Sequence, residues 1–140
     1  MKWLQLRTVL AIHRLQIGEH GGEFGVRDRG LLESALVRPI NRTQYNPNAD
    51  LASAAAACAF GISKNHPFMD GNKRTSLVAM ETFLRINGVE LQATPEEKYL
   101  ILIQLAEGSL SEDELGDWIR SHSKPSWSVR STRFRIMLDF

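Results

Sequence analysis

Apolar residues recur at three- and four-residue spacing along most of this chain and alternate almost nowhere, which predicts a helical protein. Leu6, Val9, Leu10, His13 and Ile17 share one helical face, and Gly21-Gly22 closes that segment. After a glycine-punctuated loop, Asp28 is placed to cap a short helix carrying Leu31, Leu32, Ala35 and Leu36, which Pro39 ends. From Ile40 to Asp50 periodicity disappears and Asn46-Pro47 is turn chemistry, so a loop or loose hairpin is expected. Leu51 to Lys64 is alanine-rich and apolar on nearly every face, the pattern of a central helix that its neighbours approach closely. Leu77, Val78, Met80, Phe83, Leu84 and Ile86 line the next helix, which Gly88 stops as a C-terminal cap. Val89-Glu90-Leu91 reads as a short extended piece. Thr94-Pro95-Glu96-Glu97 and Ser111-Glu112-Asp113-Glu114 are capping-box patterns that announce two further helices. The expected fold class is all-α, a single domain of about six helices.

Composition narrows the class. A chain of 140 residues with 43% hydrophobic content has enough material for one real core. No apolar run is long enough to span a bilayer, and Met1-Lys2-Trp3 with its polar-interrupted continuation is no signal peptide, so a cytoplasmic location is expected. Cys58, the sole cysteine, lies within an alanine run and reads as a small buried hydrophobe. A net charge of +1 gives no whole-protein field for nucleic acid. The balance is uneven, however. Residues 124–140 carry four basic residues against one acidic, leaving thirteen basic against fifteen acidic in 1–123. The domain is therefore assigned to residues 1–123 and a basic C-terminal extension to 124–140. Trp127, Val129, Phe134, Ile136 and Leu138 alternate in part, as in a strand folded back on the domain; a partner-binding or nucleic-acid-touching arm is the other reading.

The chemistry concentrates in Asn65-His66-Pro67-Phe68-Met69-Asp70-Gly71-Asn72-Lys73-Arg74-Thr75. Pro67 denies His66 the right-handed helical region, and Asp70-Gly71 is a turn signal, so the cluster reads as helix, tight polar loop, helix. The first turn of the second helix presents unpaired N–H groups beside Asn72, Lys73 and Arg74, the physical recipe for a phosphate site. His66 is either a general base or a structural histidine. Asp70 is either a ligand for Mg²⁺ or a helix N-cap. Arg74 offers a bidentate fork and Lys73 a point charge; singly, each would be a solvated cation. Phe68 reads as a buried anchor beneath the loop, and Thr75 and Ser76 as helix-surface residues. His13, His20 and His122 lack neighbouring ligand patterns and read as structural.

Residues 66–74 resemble the signature of the Fic/Doc superfamily, His-Pro-Phe-x-(Asp/Glu)-Gly-Asn-(Gly/Lys)-Arg, at every position. The likeness to its Doc, or death-on-curing, toxin branch extends to Glu19-His20-Gly21-Gly22, to the run from Gly25 to Leu36, to Arg38-Pro39 and to Asn87-Gly88. It covers about residues 5 to 122. The resemblance implies a Fic-type helical domain with the catalytic loop between two central helices. Glycine after the motif asparagine is typical of nucleotidyl-transferring Fic proteins, whereas Lys73 stands there in this chain. In the Doc branch that substitution accompanies reversed ATP binding and Mg²⁺-dependent protein kinase activity toward a threonine of elongation factor Tu, which blocks translation.

By that resemblance His66 is the base, Asp70 holds Mg²⁺, and Gly71 lets ATP approach. Asn72 and Arg74 grip phosphate oxygens, and Lys73 neutralises charge on the transferring or leaving group. The implied partner is a Phd-like antitoxin, with nucleic acid met only through the antitoxin complex. Arg38 to Asp50, with Tyr45, is the candidate loop for registering an extended target. No (Ser/Thr)-x-x-x-Glu-(Gly/Asn) inhibitory helix is present. Two rivals stay open. A nucleotidyltransferase attaching AMP would use the same His66 and Arg74, and Lys73→Gly discriminates it. A non-catalytic antitoxin- or DNA-binding module would remain toxic after His66→Ala.

Overall fold

A computed structural model describes residues 1–126. Six helices make the body: α1 (Leu6–His20), α2 (Arg29–Tyr45), α3 (Leu51–Asn65), α4 (Asn72–Ile86), α5 (Pro95–Glu107) and α6 (Glu112–Ser121). Two short strands, β1 (Val89–Leu91) and β2 (Ser123–Pro125), pair antiparallel with Glu90 opposite Lys124. The fold is thus the expected all-α domain with a small ribbon at one side. Lys124 and Pro125 belong to that ribbon, so the strand crosses the boundary assigned at 123/124. The alternating run from Trp127 onward lies outside the described residues.

Helix α3 is central, packed by α2, α4, α5 and α6. Its alanines explain this. Ala54, Ala55, Ala56, Ala57 and Ala59 are all buried, and such short side chains let neighbouring backbones close in on several faces. On one side they join Met80, Phe83 and Leu84 of α4, Leu102 and Leu105 of α5, and Leu115 and Ile119 of α6. On the other, Cys58 and Ile62 meet Val9, Ile12, Leu32, Ala35 and Ala79. Burial pushes the Cys58 thiol up to about 12, so it is a packed hydrophobe as expected. At Gly61 an added Cβ would stand 3.1 Å from the Ala35 Cα, which makes this the point where α2 and α3 touch backbone to backbone.

Both capping boxes form as the pattern predicts, with Thr94 accepting from the Glu97 N–H and Ser111 from the Glu114 N–H. Asp28 caps α2 and Asp50 caps α3. Asp50 is further held by a bidentate contact from Arg120 of α6 (2.7 and 2.9 Å), which keeps its carboxyl well below the usual range.

The expected end of α2 at Pro39 is overturned. The helix continues to Tyr45, and the loop expected from Ile40 shrinks to residues 46–50. Pro39 supplies no N–H to the Ala35 carbonyl, a local cost that ordinarily breaks a helix. Tertiary ties offset it. Pro39 is itself buried, Arg38 and Arg42 both donate to the Glu112 carboxylate of α6, and Thr43 Oγ1 donates to the Ile40 carbonyl (2.9 Å).

The Asn87 side chain gathers the far end of α4. Its Oδ1 accepts from the Lys2 N–H (2.7 Å) and its Nδ2 donates to the Lys2 carbonyl (2.9 Å). The Ser126 N–H donates to the Gly88 carbonyl (2.9 Å) beside it.

Candidate active site

The motif forms the turn from α3 into α4. His66 ends α3 at φ 50 and ψ 53, and it is the one non-glycine with positive φ among the described residues. The break expected from Pro67 is there, in the left-handed region, a conformation that costs on the order of 1 to 2 kcal/mol. The cost is met by a brace from residues 21–28. Arg27 donates from Nε to the His66 carbonyl (2.7 Å) and from Nη2 to the Asn65 carbonyl (2.9 Å). The Arg27 and Asp28 N–H groups both donate to the Pro67 carbonyl, and the Met69 N–H donates to the Gly25 carbonyl (3.0 Å). Val26 and Phe68 thus pair as an isolated antiparallel bridge. Phe68 is fully buried, the anchor expected, and stacks on His13 with centroids 3.9 Å apart.

Helix α4 begins without a side-chain cap. Gly71 occupies the N-cap at φ 74, and the Thr75 N–H makes the first bond back to its carbonyl (2.9 Å). The N–H groups of Asn72, Lys73 and Arg74 therefore have no helical acceptor. Asp70 is not the cap. Its Oδ2 accepts from the Glu23 N–H (2.7 Å), and its exposed Oδ1 takes no hydrogen bond among the described residues. Lys73 is exposed and makes no ion pair among the described residues. Arg74, half-buried, places Nη1 3.3 Å from His20 Nε2 and its Cζ 5.1 Å from the Tyr99 ring centroid.

Asn72 is bonded within the loop. Its Oδ1 accepts from the Phe68 N–H and its Nδ2 donates to the Phe68 carbonyl, both at 3.0 Å, which fixes the amide's orientation. The second amide hydrogen faces His66 Nδ1 at 3.2 Å. Both side-chain donors thus have partners within the loop. Asn72 staples the loop and sets the histidine: with Nδ1 as acceptor, the neutral imidazole carries its proton on Nε2. Thr75 and Ser76 are corrected from surface to core. Both are fully buried, Thr75 Oγ1 against His13 Nδ1 (3.3 Å) and Ser76 donating to the Ala59 carbonyl (2.9 Å).

Two concavities flank the Asp70-Gly71 turn. One, of about 370 Å³, is lined by His20, Gly22, Asp70 and Arg74 among others; its neighbour, of about 260 Å³, by His66, Asp70, Lys73, Arg74 and Tyr99. His13 lies beneath. Burial lowers its pKa, and the Asp70 carboxylate opposes that shift in part.

The family model for the Fic/DOC family matches residues 3–84. The chain belongs to the Fic/DOC family. Among its relatives, the protein named Toxin Doc from Mycolicibacterium smegmatis is 49% identical over 75 residues, which cover 52% of this chain and 57% of that protein. Protein kinase doc of Escherichia phage P1 is 32% identical over 120 residues, 86% of this chain and 94% of the relative. Protein adenylyltransferase Fic of Drosophila ananassae is 28% identical over 123 residues, 74% of this chain but only 24% of that longer protein. The resemblance to the Doc branch is borne out by the first two.

In this Fic/DOC chain the structure brings His66, Asp70, Gly71, Asn72, Lys73 and Arg74 to one rim, as their closeness in sequence required. His20 stands at that rim too, not apart from it as its structural reading had it, and Arg27 and Tyr99 were not anticipated. The pairing of His20 with Gly21-Gly22, before a segment that must return to the motif, was the one signal for the first. Nothing local marked Arg27 or Tyr99. The target-registering loop is corrected as well. Arg38 to Tyr45 is helical, and Tyr45 lines a separate surface concavity with Arg38, Arg42 and Glu112. Residues 21–28 are the ones beside the motif. No group of three or more His, Cys, Asp or Glu side chains placed to hold a metal exists among the described residues.

Proposed function

We propose that this Fic/DOC chain is a Doc-type toxin that transfers the γ-phosphoryl group of ATP to a threonine hydroxyl of elongation factor Tu, halting translation in the cytoplasm until a Phd-like antitoxin covers it. The observation that carries the reading is the bare N-terminus of α4, with His66 and Asp70 at its mouth and Lys73 and Arg74 beside it. Three backbone N–H groups at the positive end of a helix dipole, with a guanidinium fork adjacent, make a site for a polyphosphate.

In this reading the threonine oxygen bonds to the γ-phosphorus as the bond from that phosphorus to the bridging oxygen breaks, and ADP leaves. Catalysis is positioning and charge stabilisation. Arg74 and the α4 N–H groups orient the phosphates, Lys73 offsets charge on the leaving side, and Gly71 keeps the approach free of a side chain. Asp70 suits Mg²⁺, because Oδ1 is open and such sites take one or two carboxylates alongside substrate phosphates. The ion, when bound, neutralises phosphate charge. His66 takes the threonine proton. Since Asn72 engages Nδ1, binding of target and nucleotide must release that contact or move the ring proton so that an unprotonated nitrogen faces the hydroxyl.

Transfer of AMP is the second reading, favoured by the match to the fly adenylyltransferase. Intact-protein mass spectrometry of elongation factor Tu, incubated with this protein, ATP and Mg²⁺, separates the two. A phosphate-sized gain that His66→Ala abolishes is the expected result. A nucleotide-sized gain assigns the second reading, and no gain on elongation factor Tu overturns the proposed target. Lys73→Gly is expected to open space for the other nucleotide orientation and shift the product toward AMP.

A further inference from the structure

What orients Arg74 is not an acid. Arg29, Arg38, Arg42 and Arg120 each pair with a carboxylate, whereas Arg74 has no acidic partner among the described residues, and of the arginines set over an aromatic ring it is the one at the motif. Its guanidinium instead lies over the Tyr99 ring at 5.1 Å, with His20 Nε2 near one terminal nitrogen. The distinction matters for an anion site. A carboxylate would orient the fork by consuming its N–H donors, then compete with any incoming phosphate. An aromatic face attracts the cation through its quadrupole and leaves the N–H edge free.

Tyr99 is well supported for such a task. It lies in the first turns of α5, whose start is locked by the Thr94 and Glu97 capping box. The preceding residue, Lys98, forms a largely buried ion pair with Glu81 of α4 (2.9 Å), tying α5 to the helix that carries Arg74. The ring also lines the same concavity as His66, Lys73 and Arg74. We propose that Tyr99 is a positioning residue that holds the Arg74 guanidinium with its N–H edge toward the phosphate site. This rests on the reading of Arg74 as a phosphate grip.

The test compares binding of inorganic tripolyphosphate and of ATP, each with Mg²⁺, by calorimetry on the full chain and on Tyr99→Leu, Tyr99→Phe and Arg74→Ala. Leucine keeps apolar bulk and removes the π face; phenylalanine keeps the face. Tyr99→Leu should weaken both ligands equally, by about two- to fivefold, and Tyr99→Phe should restore both. Arg74→Ala should weaken both by about tenfold or more. Loss confined to ATP would make Tyr99 a nucleobase platform and overturn the inference. So would unchanged binding in Tyr99→Leu while Arg74→Ala loses affinity. Unaltered protein that binds no tripolyphosphate, or an Arg74→Ala variant that binds it undiminished, would overturn the phosphate reading itself.

Discussion

The N-termini of α4 and α6 face the same electrostatic demand, orphan N–H groups at the positive end of a helix, and meet it in opposite ways. At α6 the chain supplies everything. Ser111 and Glu114 bond reciprocally, Glu112, Asp113 and Glu114 place three acids in the first turn, and Arg38 and Arg42 close around Glu112 and Asp113. At α4 no side chain caps the helix and no acid stands in its first turn; Asp70, just outside, accepts from the Glu23 N–H instead. A glycine stands at the cap and the first turn carries Lys73 and Arg74, cations at the end of the dipole that disfavours them. One terminus is finished structure. The other leaves its N–H groups open to the anionic ligand proposed above, whose binding would add to stability.

Removing the internal anion at α6 should have the largest effect. Glu112 is buried while its two arginines reach solvent in part, so Glu112→Gln should lower unfolding free energy by about 2 to 3 kcal/mol in urea titrations. Supplying an internal anion at α4 is the converse. Gly71→Asp should cap the helix and weaken ATP binding by about tenfold or more, measured by calorimetry. Its new Cβ would press on the flexible Ile17 Cδ1 at 3.2 Å and touch the His13 ring at 3.9 Å, and aspartate tolerates the left-handed backbone better than most residues. A variant that binds ATP as before would break the comparison outright.

Ser111→Ala should cost about 1 kcal/mol of stability and leave nucleotide affinity alone. The smallest expected effect is with pH. His13 lies under the α4 terminus with a lowered folded pKa, so the unfolded chain binds the extra proton more readily. Its contribution is complete above about 6.5 and is lost as pH falls through the lower folded value. Melting temperatures followed across that window should flatten in His13→Gln.

What was legible in the sequence divides along the same line as the two termini. The capping boxes at Thr94 and Ser111, the stop near Gly88 and the helix carried by buried alanines are local or periodic, and local pattern is what a sequence displays. The motif's rim was legible because its members lie within nine consecutive positions. The passage of α2 through Pro39 was not, since it depends on Arg38 and Arg42 meeting Glu112 some seventy positions later. Arg27, His20 and Tyr99 stayed hidden for the same reason: each reaches the loop from another element. The bonds of Asn72 to Phe68 and His66 were not legible either, because a motif names the residue without saying where its two amide hydrogens go.

The knot around Asn87 has a use of its own. Residues 2 and 126 are tied to neighbouring positions at the far end of α4, and a helix of 15 residues separates that end from the catalytic rim by about 22 Å. A surface attached through residue 2 would therefore hold the domain with the motif loop at the end facing away from the support.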